Sequence, residues 1–89
     1  MKSRTTEQLG RAFADLPEQV QQKTREAYRL FKQDPSHLSL RFKKIHPELP
    51  IYSARISKSY RAVGQLEGDT VIWFWVGSHA EYDRLLSGF

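Results

Sequence analysis

The sequence contains no cysteine and no long apolar run. Without cysteine the chain has no disulfide framework, no thiolate metal site and no cysteine nucleophile. Its longest apolar run, Val71 to Val76, is far too short to span a bilayer, and the first ten residues hold no apolar segment of signal-peptide length. No phosphate-binding glycine loop and no plausible metal cluster is present in the sequence. We therefore expect a soluble, cytoplasmic protein that uses no metal and no other cofactor.

The positive charge is concentrated in the middle of the chain. The 89 residues, which predict a single domain over 1–89, carry fourteen Lys and Arg against ten Asp and Glu. Residues 62–89 hold four acids and one base, whereas residues 41–61 hold a single acid, Glu48. The six basic residues of that middle stretch are Arg41, Lys43, Lys44, Arg55, Lys58 and Arg61. A basic patch of this kind attracts phosphates, either of nucleic acid or through an acidic protein partner.

The first part of the chain predicts two helices. Residues 1–5 fit either a short edge strand or a loose tail. Thr5 or Thr6 is a good N-cap for a first helix, because its hydroxyl can accept a hydrogen bond from the first turn. Pro17 suits the first position of a second, amphipathic helix, which Asp34 ends because it precedes a proline. The short connection between the helices predicts an antiparallel helical hairpin.

The second part of the chain predicts three strands. Apolar and polar residues alternate over residues 51–56, 60–66 and 70–77, with turn sequences between them at 57–59 and 67–69. Connections this short predict an antiparallel meander. The segment that leads into the sheet also shows a strand-like alternation, which predicts an extended, basic crossover with apolar positions at Leu38, Leu40 and Phe42.

The turn lengths predict which side chains share a face of the sheet. A two-residue loop at Gly68-Asp69 places Gly64 opposite Trp73 and Ala62 opposite Trp75, so that both tryptophans pack in the core on one face. A three-residue loop after Ile56 places Arg55 opposite Arg61 on the other face. Opposed like charges destabilise a sheet, so such a pair indicates a bound ligand or a carboxylate between the two arginines.

The segment "YSARISKSYRAVGQLEGDTVIWFWVGSHAEYDRLL", together with the helical hairpin and the basic crossover, resembles the RelE/ParE superfamily of bacterial toxins. The most specific pieces are Tyr60-Arg61 before an apolar strand, the turn at 67–69, and the strand end at 76–79 followed by Tyr82 and Asp83. The resemblance implies an α+β fold, with an N-terminal helical hairpin packed on a small, twisted, mainly antiparallel sheet. It also implies the toxin half of a type II toxin–antitoxin pair.

RelE-like members of this superfamily cut mRNA on the ribosome without a metal ion. The resemblance implies that Arg61 and Arg55 stabilise the phosphate under attack, although Ser53 stands where RelE has a first lysine. It implies an acid–base role for His79, which stands where RelE has an arginine and other members have a histidine. Tyr82 is the nearest match to the late tyrosine of RelE. RNA or rRNA contacts are expected from Arg41, Lys43, Lys44 and Lys58.

The remaining candidates have structural alternatives. His46 lies beside the two lysines and is a second candidate for acid–base chemistry, whereas His37 suits a turn. Arg61 can instead form a salt bridge with a helix acid or with Asp83, and Asp83 can instead orient His79 from one helical turn away. Tyr82 can simply pack the C-terminal tail against the sheet.

Two other functions remain open at this point. ParE-like members of the superfamily poison DNA gyrase and are not known as nucleases. A non-catalytic member would use the basic face only to bind RNA or its antitoxin. All three readings share a cognate antitoxin as partner, and only the nuclease requires mRNA on the ribosome.

Overall fold

The computed structural model describes residues 1–88, which form a five-stranded sheet with helices on both faces. The strand order is β1-β5-β4-β3-β2, in which β1 runs parallel to β5 and every other neighbouring pair is antiparallel. This arrangement confirms the expected α+β fold with a mainly antiparallel sheet. In chain order the elements are β1 (Lys2–Thr5), α1 (Glu7–Ala14), α2 (Glu18–Gln33), a 3₁₀ turn (Leu38–Leu40), β2 (Lys43–Lys44), β3 (Ile51–Ser57), β4 (Tyr60–Glu67), β5 (Thr70–Ser78) and α3 (His79–Ser87).

The N-terminus forms an edge strand and not a loose tail. Lys2 pairs with Thr70 at the start of β5, and the register continues to Thr5. Thr6 then caps α1, since its hydroxyl accepts a hydrogen bond from the backbone N–H of Leu9 over 3.1 Å. The short strand therefore fixes where the first helix begins relative to the sheet.

The helical hairpin lies on one face of the sheet and forms the larger hydrophobic core. Pro17 is the N-cap of α2, so the helix begins at Glu18, one residue later than predicted, and Asp34 is its C-cap, as expected from the following proline. Phe31 of α2 is 1% exposed, with ring centroids 4.9 Å from Phe42 and 5.2 Å from Trp73. This fully buried aromatic side chain therefore connects α2 to β5 and to the segment just before β2.

The predicted extended crossover is wrong for residues 38–40, which form a 3₁₀ turn. His37 caps this turn, because its Nδ1 accepts a hydrogen bond from the backbone N–H of Ser39 over 3.2 Å. Leu40 is buried while Leu38 is 89% exposed, so alternation over so few residues did not distinguish a strand from a tight turn. Arg41 then takes a left-handed conformation with φ of 44°, which directs the chain into the two-residue strand β2.

The hairpin between β3 and β4 keeps the predicted pairing of Arg55 with Arg61, and the turn between β4 and β5 has the predicted length. Gly68, with φ of 60°, occupies the first position of the two-residue loop between β4 and β5. Between β3 and β4 the loop is two residues long, not three, because Ser57 pairs with Tyr60. An irregularity between Arg55 and Ser57 restores the expected register, so Arg55 lies opposite Arg61 as predicted.

The prediction that both tryptophans share one face is wrong for Trp75. Gly64 does lie opposite Trp73, but β5 carries one extra residue at Phe74, so that Val63 and not Ala62 pairs with Trp75. A bulge of this kind turns every later side chain to the opposite face. Trp73 therefore packs under the helical hairpin, while Trp75 packs under α3.

The second face of the sheet is covered in part by α3. A capping box begins this helix: the hydroxyl of Ser78 accepts from the backbone N–H of Glu81, and the Glu81 carboxylate accepts from the backbone N–H of Ser78. Tyr82 packs with Ile51 and Val63 in a second, smaller hydrophobic cluster. The C-terminal helix thus provides the cover that the apolar residues on this face require. Within residues 1–88 no helix is both long enough and apolar enough to cross a membrane.

Candidate functional site

Two arginines lie opposite each other on the face of the sheet that carries α3, and the charge of a third acts on one of them. Arg55 of β3 lies directly opposite Arg61 of β4. Burial lowers the pKa of Arg61, and the neighbouring charge of Arg55 lowers it further. The charge of Arg41 also lowers the pKa of Arg61, whereas Tyr82 raises it. The guanidinium nevertheless stays protonated at neutral pH. We call this group, Arg41, Arg55 and Arg61, the arginine cluster.

The guanidinium of Arg61 is held by the backbone of its own hairpin. Its Nη1 donates hydrogen bonds to the carbonyl oxygens of Ser57, at 2.7 Å, and Tyr60, at 3.0 Å. A guanidinium carries five N–H donors, so the remaining ones are available to a ligand. The hairpin therefore fixes the position of the guanidinium and leaves its other N–H groups to donate to a ligand.

No carboxylate of residues 1–88 lies within 4.0 Å of the guanidinium of Arg55 or Arg61. The alternative of a salt bridge between Arg61 and Asp83, or a helix acid, is therefore not what this part of the chain shows. Opposed like charges in an antiparallel pair cost roughly 0.2–1 kcal/mol relative to neutral residues. The arrangement is unfavourable for the folded chain alone and favourable for binding an anion.

His79 lies at the first position of α3, next to the hairpin that holds Arg61. Its backbone N–H donates to the carbonyl oxygen of Ser59 over 2.7 Å, so the turn at 57–60 connects both residues. The imidazole is half exposed, and its Nε2 lies 3.7 Å from Oδ1 of Asp83. The predicted pairing of His79 with Asp83 across one helical turn is therefore present, as an ion pair when the imidazole is protonated.

Tyr82 is a core residue that also borders the arginine cluster. It is 7% exposed, and its ring centroid lies 6.4 Å from that of Trp75 and 5.8 Å from that of His79. Tyr82 also raises the pKa of Arg61. The predicted packing role of Tyr82 is therefore present, because the ring packs α3 against the sheet beside His79.

The predicted lysines divide between two surfaces. Lys43 pairs with Ser53, which shares a face with Arg55 because side chains two residues apart in a strand point the same way. Lys44 pairs with Tyr52 and so lies on the helical-hairpin face, away from the arginine cluster. Lys58 is exposed in the turn that connects Arg61 to His79.

The other two histidines take part in local turns. Nδ1 of His46 accepts hydrogen bonds from the backbone N–H groups of Glu48, at 3.1 Å, and Leu49, at 2.9 Å. Nδ1 of His37 likewise contacts Ser39, as described above for the 3₁₀ turn. These contacts engage Nδ1 of both rings in the local turns, which supports a structural role for both residues.

A groove beside Arg55 could not be found from the sequence. It has a volume of about 310 Å³ and lies where α2, the 3₁₀ turn and β3 meet. Glu26 and Ser39 stand at its wall, yet in the sequence both read as ordinary polar surface positions. A second cavity of about 160 Å³, between the helical hairpin and the sheet, is lined almost wholly by apolar side chains. Residues 1–88 contain no group of three or more His, Asp or Glu side chains arranged to hold a metal ion.

The family model of the ParE-like toxin domain matches residues 18–84, which is more than half of the chain. The matched span runs from the first turn of α2 into α3 and includes every residue of the arginine cluster together with His79. The chain therefore belongs to the ParE-like toxin domain family. This confirms the resemblance to the RelE/ParE superfamily that the sequence indicated. No curated protein matches the chain.

Solved structures of toxins share the fold. The RelB–RelE antitoxin–toxin complex from Methanococcus jannaschii matches with a TM-score of 0.74 and 20% identity, over 91% of this chain and 96% of the matched one. The RelBE2 toxin–antitoxin complex from Mycobacterium tuberculosis gives 0.69 and 23%, over 88% and 96%. YafQ from E. coli gives 0.72 and 9%, over 91% and 96%. At these identities the similarity establishes the fold.

Proposed function

We propose that this chain is the toxin of a type II toxin–antitoxin pair and cleaves mRNA on the ribosome without a metal ion. The observation that carries the proposal is the pair of opposed arginines, Arg55 and Arg61, with no carboxylate of residues 1–88 between them. Such a pair costs the folded chain stability, and a bound phosphate supplies the missing counter-charge. RNA is the phosphate-bearing substrate that the resemblance to RelE-like toxins implies.

Metal-independent cleavage of RNA requires a base, a cationic platform and an acid. The base takes the proton of a 2′-hydroxyl, whose oxygen attacks the adjacent phosphorus and forms a cyclic phosphate. Negative charge then increases on the phosphoryl oxygens, where the planar forks of Arg55 and Arg61 stabilise it. The acid finally protonates the leaving 5′-oxygen.

His79 is the residue best placed to serve as the acid or the base. Imidazole exchanges protons near neutral pH, and its ring is half exposed at the N-terminus of α3. Nε2 faces the Asp83 carboxylate, which orients the ring and leaves Nδ1 for the substrate. Tyr82, which packs beside His79, would donate its phenolic proton to a phosphoryl oxygen.

The remaining cations hold the RNA by its backbone. Lys43 lies on the face of the arginine cluster, and Lys58 is exposed at the adjoining turn. Lys44, on the opposite side of the same strand, is placed to contact rRNA while the mRNA occupies the cluster. Contacts of this type do not depend on sequence, and they weaken as salt is added.

The protein partner in this proposal is a cognate antitoxin. The neighbours from M. jannaschii and M. tuberculosis were solved as toxin–antitoxin complexes, which supports a partner of the same kind for this chain. A site rich in exposed cations and deficient in carboxylates favours an acidic segment of the antitoxin. Such a segment would compete directly with the phosphate.

The proposal is tested by cleavage of mRNA in the presence of ribosomes. Primer extension maps the 5′ ends of the cleavage products. Arg61→Ala is expected to lower the rate of mRNA cleavage about a hundredfold or more, because the variant loses a fixed donor to the transition state. Arg29→Ala, which removes an exposed arginine of α2, is the matched control and is expected to leave the rate unchanged.

Two results contradict the proposal and point to the other candidate functions. Intact mRNA together with gyrase-dependent DNA breakage would indicate a gyrase inhibitor. Full toxicity of the Arg61→Ala and His79→Ala variants, again with intact mRNA, would indicate a non-catalytic protein that acts only by binding.

A further inference from the structure

The cavity between the helical hairpin and the sheet has the size of a site for a small apolar molecule. Its volume is about 160 Å³, and its walls come from α1, α2 and the inner face of the sheet, with Phe13, Phe31 and Trp73 among them. Apolar cavities of roughly 150 Å³ stay dry and bind molecules as small as benzene. A ligand of this size would replace empty space with contacts to apolar side chains.

The polar groups in the wall of the cavity are already hydrogen-bonded. The hydroxyl of Thr24 donates to the carbonyl oxygen of Val20 over 2.7 Å. The hydroxyl of Tyr28 donates to the carbonyl oxygen of Ser3, and the indole N–H of Trp73 donates to the Ser3 hydroxyl. None of these three wall groups has a donor left for a ligand. The interior of the cavity therefore favours a ligand body without hydrogen-bonding atoms.

Arg25 brings a positive charge to the opening of this apolar cavity. Among residues 1–88 it is the only charged residue in the lining, and it is exposed, so it marks a place where the cavity reaches the surface. Its guanidinium lies over the ring of Phe13, 5.1 Å from the ring centroid, and so spans from α2 to α1. Within the described part of the chain Arg25 makes no ion pair. A guanidinium with free donors at this opening favours an anionic group on the ligand.

We propose that this cavity binds a small carboxylic acid with an apolar body, which enters the cavity while its carboxylate pairs with Arg25. The apolar body matches a lining without free donors, and the carboxylate matches the cation at the opening. Ala54 and Ala62 line the cavity, so the side chains of their neighbours Arg55 and Arg61 point to the other face of the sheet. The inference therefore goes beyond the proposed function and does not rest on it.

The first test is a titration of phenylacetate into the whole protein, followed by NMR. Saturable shifts are expected for the amide signals of Ala27 and Ala54 and for the indole signal of Trp73, because all three residues line the cavity. The expected dissociation constant is in the millimolar range or below. The indole signal of Trp75, which packs under α3, should stay in place. A titration without saturable shifts at the cavity residues overturns the proposal.

Phenylacetamide isolates the contribution of the charge. This neutral analogue keeps the apolar body, and it is expected to bind about fivefold more weakly than phenylacetate, which is the scale of an exposed ion pair. Arg25→Gln should remove that difference by weakening the binding of phenylacetate alone. Arg29→Gln, at an exposed position one turn further along α2, is the matched control and should preserve it. Equal binding of the acid and the amide to the wild-type protein overturns the assignment of a carboxylate ligand.

Ala27→Leu tests whether the ligand enters the cavity itself. Ala27 lines the cavity from α2, and leucine is also a good helix former that adds three carbons at this position. The variant is expected to bind phenylacetate at least tenfold more weakly, whereas Ala14→Leu, at the exposed end of α1, should bind it normally. Undiminished binding to the folded Ala27→Leu protein overturns the inference. If that variant does not fold, the shifts at Trp73 and Trp75 in the wild-type protein decide the location.

The antitoxin is the alternative occupant, because an apolar side chain beside an acidic one carries the same chemistry. If Ala27→Leu weakens antitoxin binding tenfold while phenylacetate produces no saturable shift, the cavity serves the protein partner and the small-molecule site is overturned. None of these measurements involves cleavage of mRNA. Loss of the proposed nuclease function would therefore leave the cavity site standing, and failure of the cavity site would leave the nuclease standing.

Discussion

The two faces of the sheet carry alternate residues of the same strands and differ in what surrounds them. On the face under α1 and α2, apolar side chains such as Ala54, Ala62 and Trp73 form the larger core. On the face under α3 a smaller cluster around Val63 covers only part of the surface, and Arg55 and Arg61 lie side by side beyond it. Stability is thus concentrated on one face, which allows the other to keep charges that weaken the fold.

The largest effect is expected from the face that supports the fold. Phe31→Ala removes a fully buried ring that contacts Phe42 and Trp73, and should lower the free energy of unfolding by about 3–5 kcal/mol. Urea unfolding followed by tryptophan fluorescence measures the loss. Leu38→Ala, at a mostly exposed position, is the control and should change it by less than about 0.5 kcal/mol. Equal losses in both variants would show that the core under α2 has been placed wrongly.

A smaller effect is expected where α3 joins the second face. Ser78→Ala removes the hydroxyl that accepts from the backbone N–H of Glu81, and should cost about 1 kcal/mol of stability. The protection of α3 amides in hydrogen exchange should fall more than that of the strands. Ser87→Ala, at the other end of the helix, deletes a hydroxyl that donates to the carbonyl of Asp83 and should have less effect. If the two serine variants behave alike, the capping box does not anchor α3.

The pH dependence of α3 follows from the same capping box. Hydrogen bonds from the backbone and side chain of Ser78 lower the pKa of Glu81 below its ordinary value. Because the folded-state pKa is lower than the unfolded one, the stabilisation is present above the ordinary carboxyl range and is lost as the pH falls through the lowered pKa. The expected change is less than about 1 kcal/mol, because the carboxylate is exposed.

Glu81→Gln distinguishes this titration from a general acid effect. The amide oxygen can still accept from the backbone of Ser78, but it carries no charge to lose. Unfolding monitored by near-ultraviolet circular dichroism between pH 7 and pH 3 should therefore show a shallower decline for the variant than for the wild type. Parallel curves would assign the acid sensitivity to other carboxylates.

The pairing of Arg55 with Arg61 could be predicted because short hairpins leave little freedom of register. The compact turn near Lys58 determines which side chains of β3 and β4 oppose each other, even though it is one residue shorter than predicted. The N-cap at Thr6 could also be predicted, since it depends only on local hydrogen bonding. Features fixed by neighbours in sequence were thus accessible without the structure.

Three features depended on contacts that the sequence does not display. The extra residue at Phe74 moves Trp75 to the other face, and no turn residue marks the bulge. The turn at Leu38 relies on the side chain of His37, where alternation alone favoured a strand. The groove at Glu26 exists only because α2 approaches the edge of β3, which is a long-range contact that periodicity cannot reveal.

One face of the sheet stabilises the fold and the other carries the opposed charges. The most direct test of this difference is to measure both the free energy of unfolding and the rate of mRNA cleavage for Arg55→Gln. The variant removes one of two opposed cations, so the free energy of unfolding should stay constant or rise by up to about 1 kcal/mol, while the rate of mRNA cleavage falls at least tenfold. Arg29→Gln should change neither value. A loss of more than about 1 kcal/mol together with undiminished cleavage would contradict the account, since Arg55 would then serve the fold and not the site.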